Sequence, residues 1–297
     1  MSVRQDTIFQ QFLVPFFENV LVDQEALKQF KHSINWEEES TRLTNPRLTY
    51  RDYYHSQNFH GIKGGYLNSE VPASYDQITQ YLLPPAEPIV RQGLIDRIRV
   101  KPRQILDLGC GTGSTTLRLK QAFPEAEVIG IDLSPYMLVV AELKAKKAGL
   151  KIQFHHANAE ETGFPDASFD LVSASLLFHE TPPDVAQTIT QESFRLLQVG
   201  GEIIVLDRNQ QTLRQTEWLT EIFDQPYIKA YAAASLNAWM TQAGFAQVQT
   251  DDWWWVHQIS QGIKPIVKNT STSTRSQTQV SYNKPEIDSS AGLPAPA

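Results

Sequence analysis

An apolar run that ends in three glycines within five residues, Ile105-Leu-Asp-Leu-Gly-Cys-Gly-Thr-Gly113, dictates a strand that turns at once into a helix. Glycine permits both the left-handed backbone of such a turn and the approach of a ligand to the main chain. A second strand follows and closes in a carboxylate, Ile129-Gly-Ile-Asp132. Asp132 offers a bidentate acceptor suited to the two hydroxyls of a ribose. Its competing task is to cap the helix expected from Ser134-Pro135. A nucleoside-bearing ligand is the expectation.

The spacing narrows that ligand. A dinucleotide fingerprint reads G-x-G-x-x-G and sets a pyrophosphate at a helix N-terminus. Here the third glycine comes one residue early, so Gly109, Gly111 and Gly113 alternate. With Asp107 two residues ahead, this pattern resembles the first motif of the class I S-adenosylmethionine-dependent methyltransferases, over residues 100 to 260 or so. The resemblance implies S-adenosyl-L-methionine as cofactor. Its methionine part would lie along the turn Gly109-Cys110-Gly111-Thr112-Gly113, and its ribose on Asp132. It also implies Leu133 and Met137 against the adenine, Asn158 and Ala159 after the third strand, and Ser175 and Leu176 near the sulfur. Relatives carry an aspartate after that third strand; Asn158 still provides an amide oxygen for the exocyclic amine. Asp107 is expected to accept hydrogen bonds from the turn or from the cofactor's ammonium group.

Apolar runs and amphipathic segments alternate beyond the turn, as in a parallel sheet covered by helices. Strands are predicted at 104–108, 127–131, 151–156, 169–175 and 202–206. Helices are predicted at 114–122, 135–148, 184–197 and 235–243, the last stopped by Gly244. Gly200-Gly201 is read as the turn into the fifth strand. Residues 247–250 and 253–258 suggest a hairpin turning at Asp251-Asp252. The fold class is therefore α/β, and the resemblance implies a doubly wound, mostly parallel seven-stranded sheet with an antiparallel last strand. The stretch 207–234 is too long for a simple connection and its apolar spacing predicts an inserted helix.

Ahead of the core, Ile8, Phe9, Phe12, Leu13, Phe16, Phe17, Val20 and Leu21 form an amphipathic stripe interrupted by Pro15. No Lys or Arg lies between Asp6 and Asp23, so packing on the core is favoured over a membrane surface. Residues 50–75 crowd tyrosines, histidines and glycines, and 87–99 reads as a helix entering the first strand. The division expected is a helical and aromatic lid over 1–100, the cofactor-binding core over 101–262 and a disordered tail over 263–297, rich in Ser, Thr, Gln and Pro.

A net charge of −7 without a dense basic run argues against nucleic acid as the main partner. No apolar stretch reaches the ~18 residues of a membrane span, and no secretory signal opens the chain. A cytoplasmic protein acting on a small-molecule acceptor, without a metal, is the expectation. Cys110 is the single cysteine, so no intrachain disulfide forms.

Methyl transfer needs an aligned acceptor lone pair and excluded water, with a base only where the acceptor must lose a proton. His179, His60 and Tyr66 are the candidates for that base; His179 is equally suited to a helix start with Glu180 and Thr181. The family's amino-methylating branch carries Asn/Asp-Pro-Pro-Tyr after the fourth strand, where this chain has Ser175-Leu-Leu-Phe178. Oxygen or activated carbon is the implied target, as in quinone-methylase-like relatives. Residues 50–75 and Trp253-Trp-Trp255 offer an apolar pocket for a ring-bearing or lipid-like acceptor, or plain core. A nicotinamide-dependent oxidoreductase and a non-catalytic cofactor-binding scaffold are the alternatives.

Overall fold

The computed structural model describes residues 23–266, apart from 58, 60–63, 83–85, 217, 219 and 221–224. Its sheet has seven strands in the order β3-β2-β1-β4-β5-β7-β6. They are β1 Gln104–Leu108, β2 Glu127–Asp132, β3 Gln153–His156, β4 Phe169–Ser175, β5 Leu197–Arg208, β6 Ala246–Trp253 and β7 His257–Ile263. Strands β1 to β5 pair in parallel, whereas β7 runs antiparallel to both β5 and β6. Central strands have no solvent face, so β1 and β4 are apolar on both sides. Leu106, Leu108, Val172 and Ala174 join the cluster holding Val185, Ile189 and Met240. Ile105 and Leu171 point the other way, toward Val90, Leu94 and Leu119.

The predicted core helices form within a residue or two of expectation, at Ser114–Ala122, Pro135–Lys147, Pro183–Leu196 and Leu236–Ala243. Gly244, at φ 106°, closes the last of them. Among the described residues, the long connection holds the short helices Gln210–Gln215 and Ile228–Ala233, and Trp218 and Thr220 between them are also helical. Two boundaries differ from the sequence reading. Strand β5 starts at Leu197, and Gly200-Gly201 lies inside it where the register against β4 slips between Phe169 and Leu171. Five steps along β5 there match two along β4, so the pair, with Gly200 at φ 83°, makes its turn within the strand instead of ahead of it.

The hairpin also turns later than expected. Asp251 and Asp252 sit in β6, paired with Ile259 and Gln258, and the reversal falls on Trp254-Trp255-Val256. Trp254 and Trp255 take φ of 50° and 54°, a conformation that bulky residues rarely adopt. The two residues are 50% and 59% exposed, so they do not continue a strand face or fill the core. Trp253 instead packs on the helix Glu87–Ile95, its Nε1 donating to the Val90 carbonyl at 3.0 Å and Arg97 lying 4.4 Å over its ring.

That contact explains Gly93. A Cβ there would lie 2.4 Å from the Trp253 ring, so only glycine lets helix and hairpin meet. Gly93→Val is expected to lower the unfolding free energy by about 1–3 kcal/mol, as overpacking does, with nucleoside binding kept. Denaturant unfolding measures this; an unchanged midpoint would contradict the close packing.

The stripe at 8–21 and the tail from 267 onward lie outside the described residues. So do Leu219, Ile222 and Phe223 of the inserted segment. Among the described residues, no helix is long and apolar enough to cross a membrane.

Candidate functional site

Strand β1 delivers its chain into the glycine turn at the carboxyl edge of the sheet, where ligands bind in open α/β folds. Gly109, Gly111 and Gly113 have φ of 58°, 54° and 78°. A Cβ on Gly109 would come within 2.7 Å of Leu177, so this residue is glycine for space as well as for backbone. Gly113 stands at the N-cap of the helix Ser114–Ala122.

Asp132 ties the turn to β2. Its Oδ2 accepts from the Gly111 N–H and its Oδ1 from the Ser134 N–H, both at 2.8 Å. Ser134, not Asp132, caps the following helix by accepting from Met137 N at 3.1 Å. Asp107 is 1% exposed and accepts from the Thr116 hydroxyl at 2.6 Å and the Ser173 hydroxyl at 2.7 Å. Burial pushes both carboxyl groups up to about 6 from the usual carboxylate range.

The sign of that shift sets a pH dependence. A carboxyl group that holds its proton more tightly when folded stabilises the chain below its unfolded value of 3.8, and that stabilisation is lost as pH rises through about 6. Asp107 alone contributes on the order of 1–3 kcal/mol. The ligand-free chain should therefore lose more stability between pH 5 and pH 7.5 than Asp107→Asn does, by thermal unfolding. A nucleoside held by ionised Asp132 should show the opposite trend, binding more weakly as pH falls below about 6; calorimetry at the two pH values separates them.

Two neighbouring cavities open beside the turn. The larger, about 600 Å³, is lined by Asp107, Gly109, Cys110, Gly111, Thr112, Asp132, Met137, Ser175 and Leu176 from the sequence reading, together with Tyr66. The smaller, about 350 Å³, is lined by Leu133, Asn158 and Ala159, and shares Gly109, Asp132 and Leu177 with the first. Asp132 thus stands between them. Leu133 and Met137, expected on one ring, line different cavities. The Asn158 amide oxygen accepts from Glu160 N at 2.9 Å, an Asx turn that presents the residue to the smaller cavity. Leu176 is held at φ 59° by its N–H to the Leu206 carbonyl at 2.8 Å. This strained strand end brings Ser175 and Leu176 to the cavity wall.

His179 lines neither cavity. It is 2% exposed, and its Nδ1 lies 2.6 Å from Asp207 Oδ1, behind the wall. Tyr66 does reach the larger cavity, its hydroxyl donating to Glu180 Oε1 at 2.7 Å. Burial raises the Tyr66 phenol well above its ordinary value, which makes it a donor and a poor base. His60 lies outside the described residues. The Trp253 indole lines a separate groove with Ile89 and Arg118, and shares no wall residue with the two cavities.

Sequence reasoning missed Arg91 and Glu180 on the wall of the larger cavity, where Tyr75, the end of the aromatic segment 50–75, also stands. Arg91 is 5% exposed; its Nε donates to Glu87 at 2.7 Å and its Nη1 to the Thr115 hydroxyl at 2.7 Å. The i,i+4 spacing to Glu87 reads as an ordinary surface pair. The sign it carries a site is a charge between the apolar Val90 and Leu94 of one helix.

The aromatic segment packs over this edge. Tyr66 stacks on both Tyr54 and Phe59, which are tilted to each other, with centroids 5.2–6.5 Å apart. His156 Nδ1 accepts from Asn45 N at 2.9 Å, and its Nε2 lies 2.9 Å from both the Tyr50 hydroxyl and the Leu133 carbonyl. Asp76 accepts from Thr112 of the turn and from Lys144, both at 2.6 Å. These bonds latch the N-terminal helices to the rim.

A glycine turn on a buried strand, an acidic second strand end and an antiparallel β7 define a nucleoside-binding α/β protein of the methyltransferase architecture. Comparison with known proteins makes this specific. A methyltransferase domain family matches residues 105–201. A demethylmenaquinone methyltransferase of Anoxybacillus flavithermus is 31% identical over 184 residues, covering 54% of this chain and 77% of that protein. One of Thermus thermophilus is 37% identical over 140 residues, covering 47% of this chain and 63% of the relative. The chain spans 48% of a Deinococcus radiodurans relative. Human N-acetylserotonin methyltransferase in complex with S-adenosylmethionine shares the fold, with a TM-score of 0.54 at 13% identity over 68% of this chain and 58% of that one. The chain belongs to the class I S-adenosylmethionine-dependent methyltransferases, and S-adenosylmethionine is its cofactor.

The residues present suit that cofactor. The turn leaves open space at Gly111, where a Cβ would meet nothing within 4 Å. Around it stand a paired acceptor (Asp132), a buried cation (Arg91) and an amide (Asn158), the donor and acceptor types that a ribose, a carboxylate and an adenine require.

Proposed function

We propose that this chain methylates oxygen or activated carbon on a small, aromatic or lipid-like acceptor. The observation that carries the proposal is the larger cavity, which adjoins the glycine turn and is walled by Tyr66, Tyr75, Met137 and Leu177. Such a wall buries an apolar ring and excludes water from the reacting groups. Relatives named for demethylmenaquinone support an acceptor of this class. The stretch Ser175-Leu-Leu-Phe178 lacks the motif of amine-methylating relatives and supports it too.

In this reading Asp132 holds the ribose, Asn158 and Leu133 the adenine, and the glycine turn the methionine backbone. Asp107 faces the ammonium group and Arg91 the carboxylate. Bound there, the cofactor supplies an electrophilic methyl group. The residues 23–100 serve as the lid, held by the Asp76 and His156 contacts. Incubation with methyl-labelled cofactor and a panel of phenols, hydroquinones and amines tests the proposal. Label is expected in the ring hydroxyl compounds; label confined to amines would overturn it.

A further inference from the structure

We infer that the covering segment supplies part of the cofactor site: Tyr53 closes the smaller cavity and packs its ring on the adenine. The inference rests on the adenine placement proposed above. It adds a residue that no strand of the sheet carries.

The smaller cavity is a slot with one polar edge. Leu133, Ala157, Leu177 and Ile189 give it apolar walls, Asn158 stands at the edge, and Asp132 joins it to the larger cavity. A purine attached to a ribose held by Asp132 enters such a slot with its faces dry and its edge on the amide. Thr181, which follows the 3₁₀ turn Phe178–Glu180, also borders the slot, but its hydroxyl donates to the Phe178 carbonyl at 2.9 Å. Among the described residues, Tyr53 is the one aromatic ring on this wall.

Tyr53 lies on the short helix Asp52–His55, and its neighbours fix the ring. Tyr54 and Tyr227 meet it edge-on, with centroids 6.3 Å away in both cases, and the Arg51 guanidinium carbon lies 5.7 Å over it. The Tyr53 hydroxyl donates to Glu160 Oε1 at 3.4 Å. Arg51 pairs with Glu160 as well, and its Nη2 donates to Asp184 Oδ2 at 3.0 Å. Two ion pairs thus bolt this helix to the core beside the slot.

Glu160 serves both sides of the slot. Its N–H donates to Asn158 Oδ1 at 2.9 Å, and its Oε1 accepts from Asn158 Nδ2 at 3.4 Å. The same glutamate therefore orients the amide on the edge and the ring on the wall. An aromatic side chain against a base strengthens binding by about 10–100-fold, and it does so through the π-face of the base.

The plain alternative is that Tyr53, half-buried against the main core cluster, only packs. The test separates the two. Full-length protein with protonated tyrosines and all other residues deuterated is saturated with S-adenosylhomocysteine. Nuclear Overhauser contacts from adenine H2 and H8 to tyrosine ring protons are then recorded in wild type and in Tyr53→Phe. Contacts are expected in wild type and should vanish in Tyr53→Phe, with affinity kept because phenylalanine retains the ring. Tyr53→Leu, apolar but without a π-face, should weaken S-adenosylhomocysteine and adenosine alike by about 10–100-fold. Contacts that persist in Tyr53→Phe, no contacts in a wild type that binds, or full affinity in Tyr53→Leu each overturn the assignment. The Overhauser contacts decide the matter even where Tyr53→Leu does not fold. A wild type that fails to bind S-adenosylhomocysteine overturns the methyltransferase reading itself.

Discussion

Asp132→Ala should cost this chain its cofactor, with affinity for S-adenosylmethionine falling by about 10²–10³-fold. Two effects add. The carboxylate is the acceptor proposed for both ribose hydroxyls, and a hydrogen bond to a charged group is worth about 1.5–3 kcal/mol. It also accepts from Gly111 N and Ser134 N, so alanine releases the turn and the entry to the next helix together. Asp132→Asn separates the two contributions. Its amide oxygen can keep one main-chain bond but lacks the charge, so it should retain more thermal stability than alanine while binding nearly as poorly. Calorimetric titration of both variants measures this, and wild-type affinity in Asp132→Ala would remove the central assignment.

Arg91→Met is expected to weaken S-adenosylmethionine by about 10–100-fold while leaving adenosine affinity unchanged. The guanidinium lies in the cavity wall, anchored through Glu87 and Thr115, and it is the buried cation nearest in kind to the cofactor's carboxylate. Adenosine lacks that carboxylate, so it reports the nucleoside half alone. Arg91→Lys should recover only part of the loss, because an ammonium is a point charge and cannot reproduce the planar fork. Glu87 loses its partner in Arg91→Met, so the unfolding midpoint must be measured beside the affinity. Equal losses for adenosine and S-adenosylmethionine would mean that Arg91 supports the fold and not the ligand.

Much of the core was legible because its signals are local. The alternation of buried strands and amphipathic helices follows from periodicity, and the turn from glycines whose backbone angles no other residue accepts easily. The hairpin was legible only in part. Asp251-Asp252 has the composition of a turn, yet pairing with β7 carries both residues into β6 and moves the reversal onto two tryptophans. Packing of Trp253 against Gly93 and Val90 overrides the local preference. Composition likewise linked the tryptophan run with the aromatic segment, and they turn out to line different spaces.

The site divides in the same way. Asp132, Asn158, Ser175 and Leu176 each follow a strand or end one, and Asp107 is the last residue but one of β1, so the order of strands alone brings them to one edge. Glu180 and His179 are neighbours in the chain, and only the 3₁₀ turn decides that the glutamate faces the cavity while the histidine faces Asp207. Arg91 sits far from the motif in sequence and enters the wall because its helix packs on the turn's own helix through Thr115.

By itself the sequence determined the fold class, the nucleoside-binding turn and Asp132 as its partner, because backbone sterics and hydrophobic periodicity act between near neighbours. Tertiary structure alone decided that Glu180 lines the larger cavity, where Arg91 lies and how the N-terminal helices latch to the rim. Those depend on contacts between segments 24 to 114 residues apart in the chain, such as Arg91 to Thr115 and Tyr66 to Glu180. No local pattern encodes a distance of that kind; close packing of the folded chain does.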